Sequence, residues 1–138
     1  MTQEDKELLL KDLCDRLPYG VICLADIDKT FDGGVISKIN VINLKKDWLE
    51  FENIITPFHL DEVKPYLRPM SSMTEEERKE YELLANHCIV TSIGFIHLEA
   101  APLTDWLNAH YFDYRGLIEK GLAIAVTEEN NPYVKNSL

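Results

Sequence analysis

A chain of 138 residues, 46% hydrophobic and 28% charged, has the size and balance of one folded domain with its own core. Its net charge of -10 repels nucleic-acid phosphates and anionic membranes, which argues against direct binding to either. The three cysteines, Cys14, Cys23 and Cys88, are widely spaced with no CxxC pair, the pattern of free thiols in a reducing compartment.

The opening MTQEDKELLLKDL is too charged for a signal peptide, and no apolar run approaches ~18 residues, so a cytoplasmic location is expected. Residues 3–16 read as a helix. Thr2 caps it, Asp5 completes a capping box, and Leu10, Leu13, Cys14 and Leu17 form its apolar stripe. Leu17-Pro18 ends it. Tyr19–Ala25 is a buried strand, and DIDKTFDGG (26–34) is a turn leading to a second strand, Val35–Leu44. Val35, Ile39 and Val41 share one phase, and Ile42 and Leu44 the other, which predicts a bulge or a strand covered on both faces. Residues 48–55 are a third strand.

Pro57, Pro65 and Pro69 make 56–73 irregular, with one helical turn at Asp61–Lys64. Thr74 and Glu77 then form a capping box for a helix whose stripe is Tyr81, Leu84, Ala85 and Cys88. Glu75, Glu76 and Glu77 suit its first turn, where the helix dipole favours negative charge. Ile89–Ile96 reads as a strand. Residues 103–112 read as a helix with Leu103, Trp106, Leu107 and His110 on one face. Asp113 caps a further turn, YRGLIEK, and Gly121 stops it before a last strand, Leu122–Val126. Residues 127–138 are polar and expected to be a mobile tail after a single domain of residues 1–126. Early strands and late helices predict an α+β domain: a small, mainly antiparallel sheet packed by three or four helices.

Several stretches invite a chemical reading. VICLADIDKT (21–30) resembles the first motif of haloacid dehalogenase-type phosphatases. That likeness would make Asp26 the nucleophile on phosphorus and Asp28 the group that handles the leaving-group proton, with magnesium neutralising charge. Thr91 or Ser92, Lys120, and Glu128 with Glu129 would fill the later motifs. Against it, a strand pattern follows where a helix should, a full helix precedes the motif, and the chain is short for that core. Asp and Gly in a hairpin turn explain the same residues. Asp26, Asp28, Thr30 and Asp32 also resemble part of a calcium loop, but Phe31 replaces the turn glycine and Ser37 the bidentate glutamate. His97-Leu-Glu99 before Pro102 lacks the Pro-Cys-x-x-Cys of zinc deaminases, and His87-Cys88 has no second ligand pair. No cofactor and no metal site is expected.

Three blocks, LCDRLPYGV (13–21), KPYLRPMSSMTEEE (64–77) and LTDWLNAHYFDYRGLIEKGLA (103–123), resemble a family of small proteins of gut Bacteroidales and their phages or mobile elements. The likeness implies an accessory protein of a mobile genome. It carries over no activity, cofactor or functional residue.

The leading expectation is a non-enzymatic protein that binds another protein. Its candidate partner-binding residues are Tyr66, Arg68 and Met70 on a proline-stiffened loop, with Trp106, His110 and Tyr114. The alternatives are an acidic nucleic-acid-mimicking inhibitor of a host protein and a magnesium-dependent phosphatase using Asp26 and Asp28.

Overall fold

The computed structural model describes residues 1–91 and 101–134, the side chains of 87–91 and 101 excepted. Its elements are α1 (Gln3–Arg16), β1 (Ile22–Ala25), β2 (Val35–Asn43), β3 (Trp48–Phe51), β4 (Phe58–His59), β5 (Val63–Leu67), α2 (Glu75–Thr91), α3 (Ala101–Ala109) and β6 (Ile124–Ala125). The strands form one sheet in the order β4-β3-β2-β1-β5-β6. Every neighbouring pair is antiparallel except β5 with β6. The protein is thus an α+β fold on a mainly antiparallel sheet, as the clustering of strand patterns predicted.

Helix α1 has the predicted bounds, and the Thr2 hydroxyl accepts from the Asp5 N–H at 3.0 Å. Its buried stripe is rotated by one residue from the expected one. Leu9, Asp12, Leu13 and Arg16 are the buried set, whereas Cys14 is exposed. They occupy the same i, i+3, i+4, i+7 spacing, but two of the four are charged. Leu9 and Leu13 join Val21, Cys23, Ala25, Ile39, Leu49 and Phe51 in the core. The ion pair of Asp12 and Arg16 is closed at 2.9 Å with both side chains 0% exposed.

The phase change in β2 is a bulge. Pairing shifts between Ile39, opposite Phe51, and Val41, opposite Glu50, so that Ile42 then faces Leu49. One extra residue returns the apolar side chains to the core face. Strand β3 stops at Phe51 rather than running to residue 55.

Residues 56–73, expected to be irregular, contain β4 and β5, and β5 lies between β1 and β6. Proline is unusual at such a place, and the register explains it. The Asp26 N–H donates to the Glu62 carbonyl at 2.8 Å. Antiparallel alternation from that bonded pair leaves Pro65, opposite Cys23, where β1 requires no hydrogen bond from it. On the other side, pairing with β6 begins one residue later, at Tyr66. The proline therefore removes no ladder bond.

The ladder between β1 and β5 is completed by a side chain from the far end of the chain. The Tyr133 hydroxyl accepts from the Ile22 N–H at 3.0 Å and donates to the Tyr66 carbonyl at 2.8 Å. Its ring stacks on Tyr111 with centroids 3.8 Å apart, and burial pushes its phenol well above the usual range. The stretch from residue 127 to 134, expected to belong to a mobile tail, is docked by this contact.

Other boundaries move. Ile89–Thr91, expected in a strand, are helical, and the rest of that segment lies outside the described residues. Helix α3 ends at Ala109, and β6 is shortened to Ile124–Ala125. The Asp113 cap is present without a regular helix after it. Its two carboxylate oxygens accept from the Leu117 and Ile118 N–H groups, both at 2.9 Å.

Leu67 is 0% exposed and part of the core. Leu67→Ala is therefore expected to lose about 2–5 kcal/mol in urea unfolding, the cost of a cavity beneath a central strand. A change under about 0.5 kcal/mol would place β5 outside the cooperative core.

Candidate functional site

Past β5, Arg68 pairs with Phe112, and Pro69 leads into a short 3-10 turn, Met70–Ser72. Thr74 then starts α2. The Glu77 N–H donates to the Thr74 hydroxyl at 3.1 Å, and Glu77 Oε1 accepts from the Thr74 N–H at 2.9 Å. The predicted capping box is therefore closed. The same carboxylate also takes both guanidinium nitrogens of Arg68, at 2.8 and 2.7 Å. Arg68 lies over the Phe112 ring, 4.2 Å from its centroid. Glu77 thus clamps the start of α2 to the end of β5.

Aromatic side chains continue from that clamp. Trp106 stacks against Phe112 at 5.6 Å and against His110 at 4.3 Å. Its indole N–H donates to Glu80 at 2.8 Å, tying α3 to α2. Tyr114 donates its hydroxyl to Asn108 Oδ1 at 2.9 Å, and burial pushes its phenol above the ordinary value. Beside this wall the 3-10 turn, α2 and the turn capped by Asp113 enclose a cleft of about 520 Å³. Its lining includes Met70, Ser71, Tyr81, Tyr114, Ile118 and Glu119. The volume falls within the range of binding clefts, roughly 300–1,000 Å³.

Five of the six expected partner-facing residues fall into two groups. Met70 and Tyr114 line the cleft. Arg68, Trp106 and His110 form the adjoining stack. Tyr66 is 6% exposed and sits inside the sheet, because its segment is a paired strand rather than a loop. It is not a partner-facing residue in this fold. Tyr81, Ser71 and Glu119 escaped the sequence reading. Tyr81 was legible only as part of a helical stripe, and nothing local joins it to residues some forty positions away.

The Asp26 loop is self-contained. Asp26 is buried, and its carboxylate accepts from the Asp28 N–H at 3.0 Å, the Thr30 hydroxyl at 3.0 Å and the Phe31 N–H at 2.9 Å. Burial pushes its acidity one way, but these hydrogen bonds win and hold the carboxyl below the ordinary value. Gly34 closes the loop at φ +98°, where a Cβ would stand 2.4 Å from the Ala25 carbonyl oxygen. β1 and β2 pair directly as a hairpin across this loop, where a phosphatase core would place a helix. Among the described residues no group of three or more His, Cys, Asp or Glu is placed to hold a metal ion. His97 and Glu99, with the side chains of His87 and Cys88, lie outside the described residues. No helix among those described is long and apolar enough to cross a membrane.

The fold and site together define a small α+β domain with one aromatic-walled surface cleft. No family model matches the chain, and neither a curated protein nor a solved structure does.

The Glu77 clamp has a pH signature. The Arg68 guanidinium, aided by Thr74, holds the Glu77 carboxyl down to about 2, against an ordinary 4.5. A folded value below the unfolded one means the ionised form is favoured by folding. That stability is complete above pH 4.5 and is lost as pH falls towards 2. Glu77→Gln should therefore lower the urea midpoint clearly at neutral pH, and the gap from wild type should close as pH is taken down through this window. A gap of equal size at both ends would mean the carboxylate charge is not what Arg68 uses.

Proposed function

We propose that this is a non-enzymatic, cytoplasmic protein-binding accessory protein that seats part of a partner in the cleft between Met70 and Tyr114. The observation that carries this is convergence. Segments around residues 70, 81 and 114–119, far apart in sequence, build one cleft with apolar and aromatic lining. Two of the residues singled out from the sequence line it, and three more stand in the adjoining stack. Aromatic, half-buried side chains held by their neighbours are the usual anchors of protein recognition. The Asp26 carboxylate, in contrast, is occupied by its own loop, which supports a structural role there over phosphoryl transfer. On α2, Arg78 and Lys79 interrupt the run of glutamates and Glu77 is neutralised by Arg68, which supports an acidic mimic less than a docking cleft.

A photocrosslinking amino acid at exposed Ser71 tests this in lysate of the source cells. The expected result is one discrete protein adduct, absent when the crosslinker stands at exposed Lys45 in the β2–β3 turn, and suppressed by Tyr81→Ala with the fold retained. Equal adducts from both positions, or none from Ser71, would remove the cleft as the docking site.

A further inference from the structure

The polar groups around the cleft differ sharply in whether they are already used. Asp113 is consumed by the N–H groups of its own turn, and the Tyr114 hydroxyl by Asn108. Arg68 and Arg115, the nearest guanidinium groups in sequence to the lining segments, are also engaged. Arg68 binds Glu77, while Arg115 binds Asp12 and Asp15. By contrast, the Glu119 carboxylate and the hydroxyls of Ser71 and Tyr81 have no hydrogen-bond or ion-pair partner among the described residues. All three belong to the lining. Among the described residues no lysine or arginine lines the cleft, and the two charged lining residues are both carboxylates.

We infer that the cleft recognises a basic side chain, a lysine or arginine flanked by apolar residues, on an exposed segment of the partner protein. This inference rests on the docking reading above and gives it a chemistry. Met70, Leu107 and Ile118 supply apolar surface for the stem of such a side chain. Tyr81 and Glu119 both line the cleft, so an aromatic ring and an opposite charge are at hand for the cationic head. A net charge of -10 adds a favourable field for a basic partner and an unfavourable one for an acidic partner. An acidic segment would meet the like charge of Glu119, and a purely apolar one would cover that carboxylate without pairing it, which disfavours both.

The probes are three immobilised pools of random heptapeptides whose central residue is fixed as Arg, Leu or Glu. The full chain is expected to be retained on the Arg pool about tenfold more than on the Glu pool, with the Leu pool between them. Glu119→Lys, an exposed change, should abolish or reverse that order. Glu4→Lys makes the same change in net charge on the exposed first turn of α1 and should preserve it. Equal retention on the three pools would overturn the inference. So would an Arg preference lowered equally by both substitutions, since that would mark general acidity rather than this cleft. A Ser71 adduct in the crosslinking experiment, together with equal retention, would leave the docking site in place and remove only its basic occupant.

Discussion

Asp12 lies at the centre of the fold's least expendable interaction. It is fully buried, and each of its oxygens meets a different arginine: Arg16 at 2.9 Å and Arg115 at 2.7 Å. Arg16, also fully buried, donates onward to the Phe112 carbonyl, and Arg115 reaches Asp15. The Tyr114 ring lies beneath both guanidinium groups, 5.3 and 4.5 Å from its centroid. One carboxylate in α1 therefore fixes the backbone and side chains of residues 112–115, a hundred positions away. Those residues begin the turn that walls the cleft. Burying so many charges is costly, and it is tolerated only because nearly every donor is met. Arg16 Nη1 is the exception, without a partner among the described residues.

Glu77 acts in the same way on the opposite wall. It caps α2 and holds Arg68, and Arg68 covers Phe112. Phe112 is thus approached by Arg16 through its carbonyl and by Arg68 through its ring. The α2 helix itself buries none of its described side chains fully, and its Leu83 is 72% exposed. Among its described side chains, the expected stripe residues Tyr81, Leu84 and Ala85 are half-buried, and this clamp and the Trp106–Glu80 hydrogen bond tie the helix to the rest of the fold. The cleft is consequently an assembly of charged tethers around aromatic walls, laid over one end of a sheet.

That arrangement explains what the sequence could and could not show. The bounds of α1, the β2 bulge, the Thr74–Glu77 box and the Asp113 cap all rest on local chemistry, and each was legible. The stripe of α1 was misplaced because pattern reading assigns Asp12 and Arg16 to solvent, and only partners distant in sequence make their burial possible. Strand β5 was missed because Pro65 signals a break, while its harmless position depends on register with β1. Tyr133 looked like part of a free tail because its role is to fill a gap between two strands that local pattern does not reveal. At the site, Met70 stood out beside a proline, Trp106 and His110 on a helix face, and Tyr114 as a large residue shortly after that helix. Ser71, Tyr81 and Glu119 carried no such mark, since their meaning arises only where three segments meet.

Asp12 neutralises the buried Arg16 guanidinium and the partly buried Arg115 one, and thereby holds residues 112–115 against α1. Urea unfolding of Asp12→Ala tests it most directly. Removing the carboxylate strands Arg16 and Arg115 without their shared partner, so a loss of about 3–5 kcal/mol is predicted, the usual cost of breaking a buried pair from one side. A loss below about 0.5 kcal/mol, as at an ordinary surface position, would contradict the account and leave the wall of the cleft to be explained by packing alone.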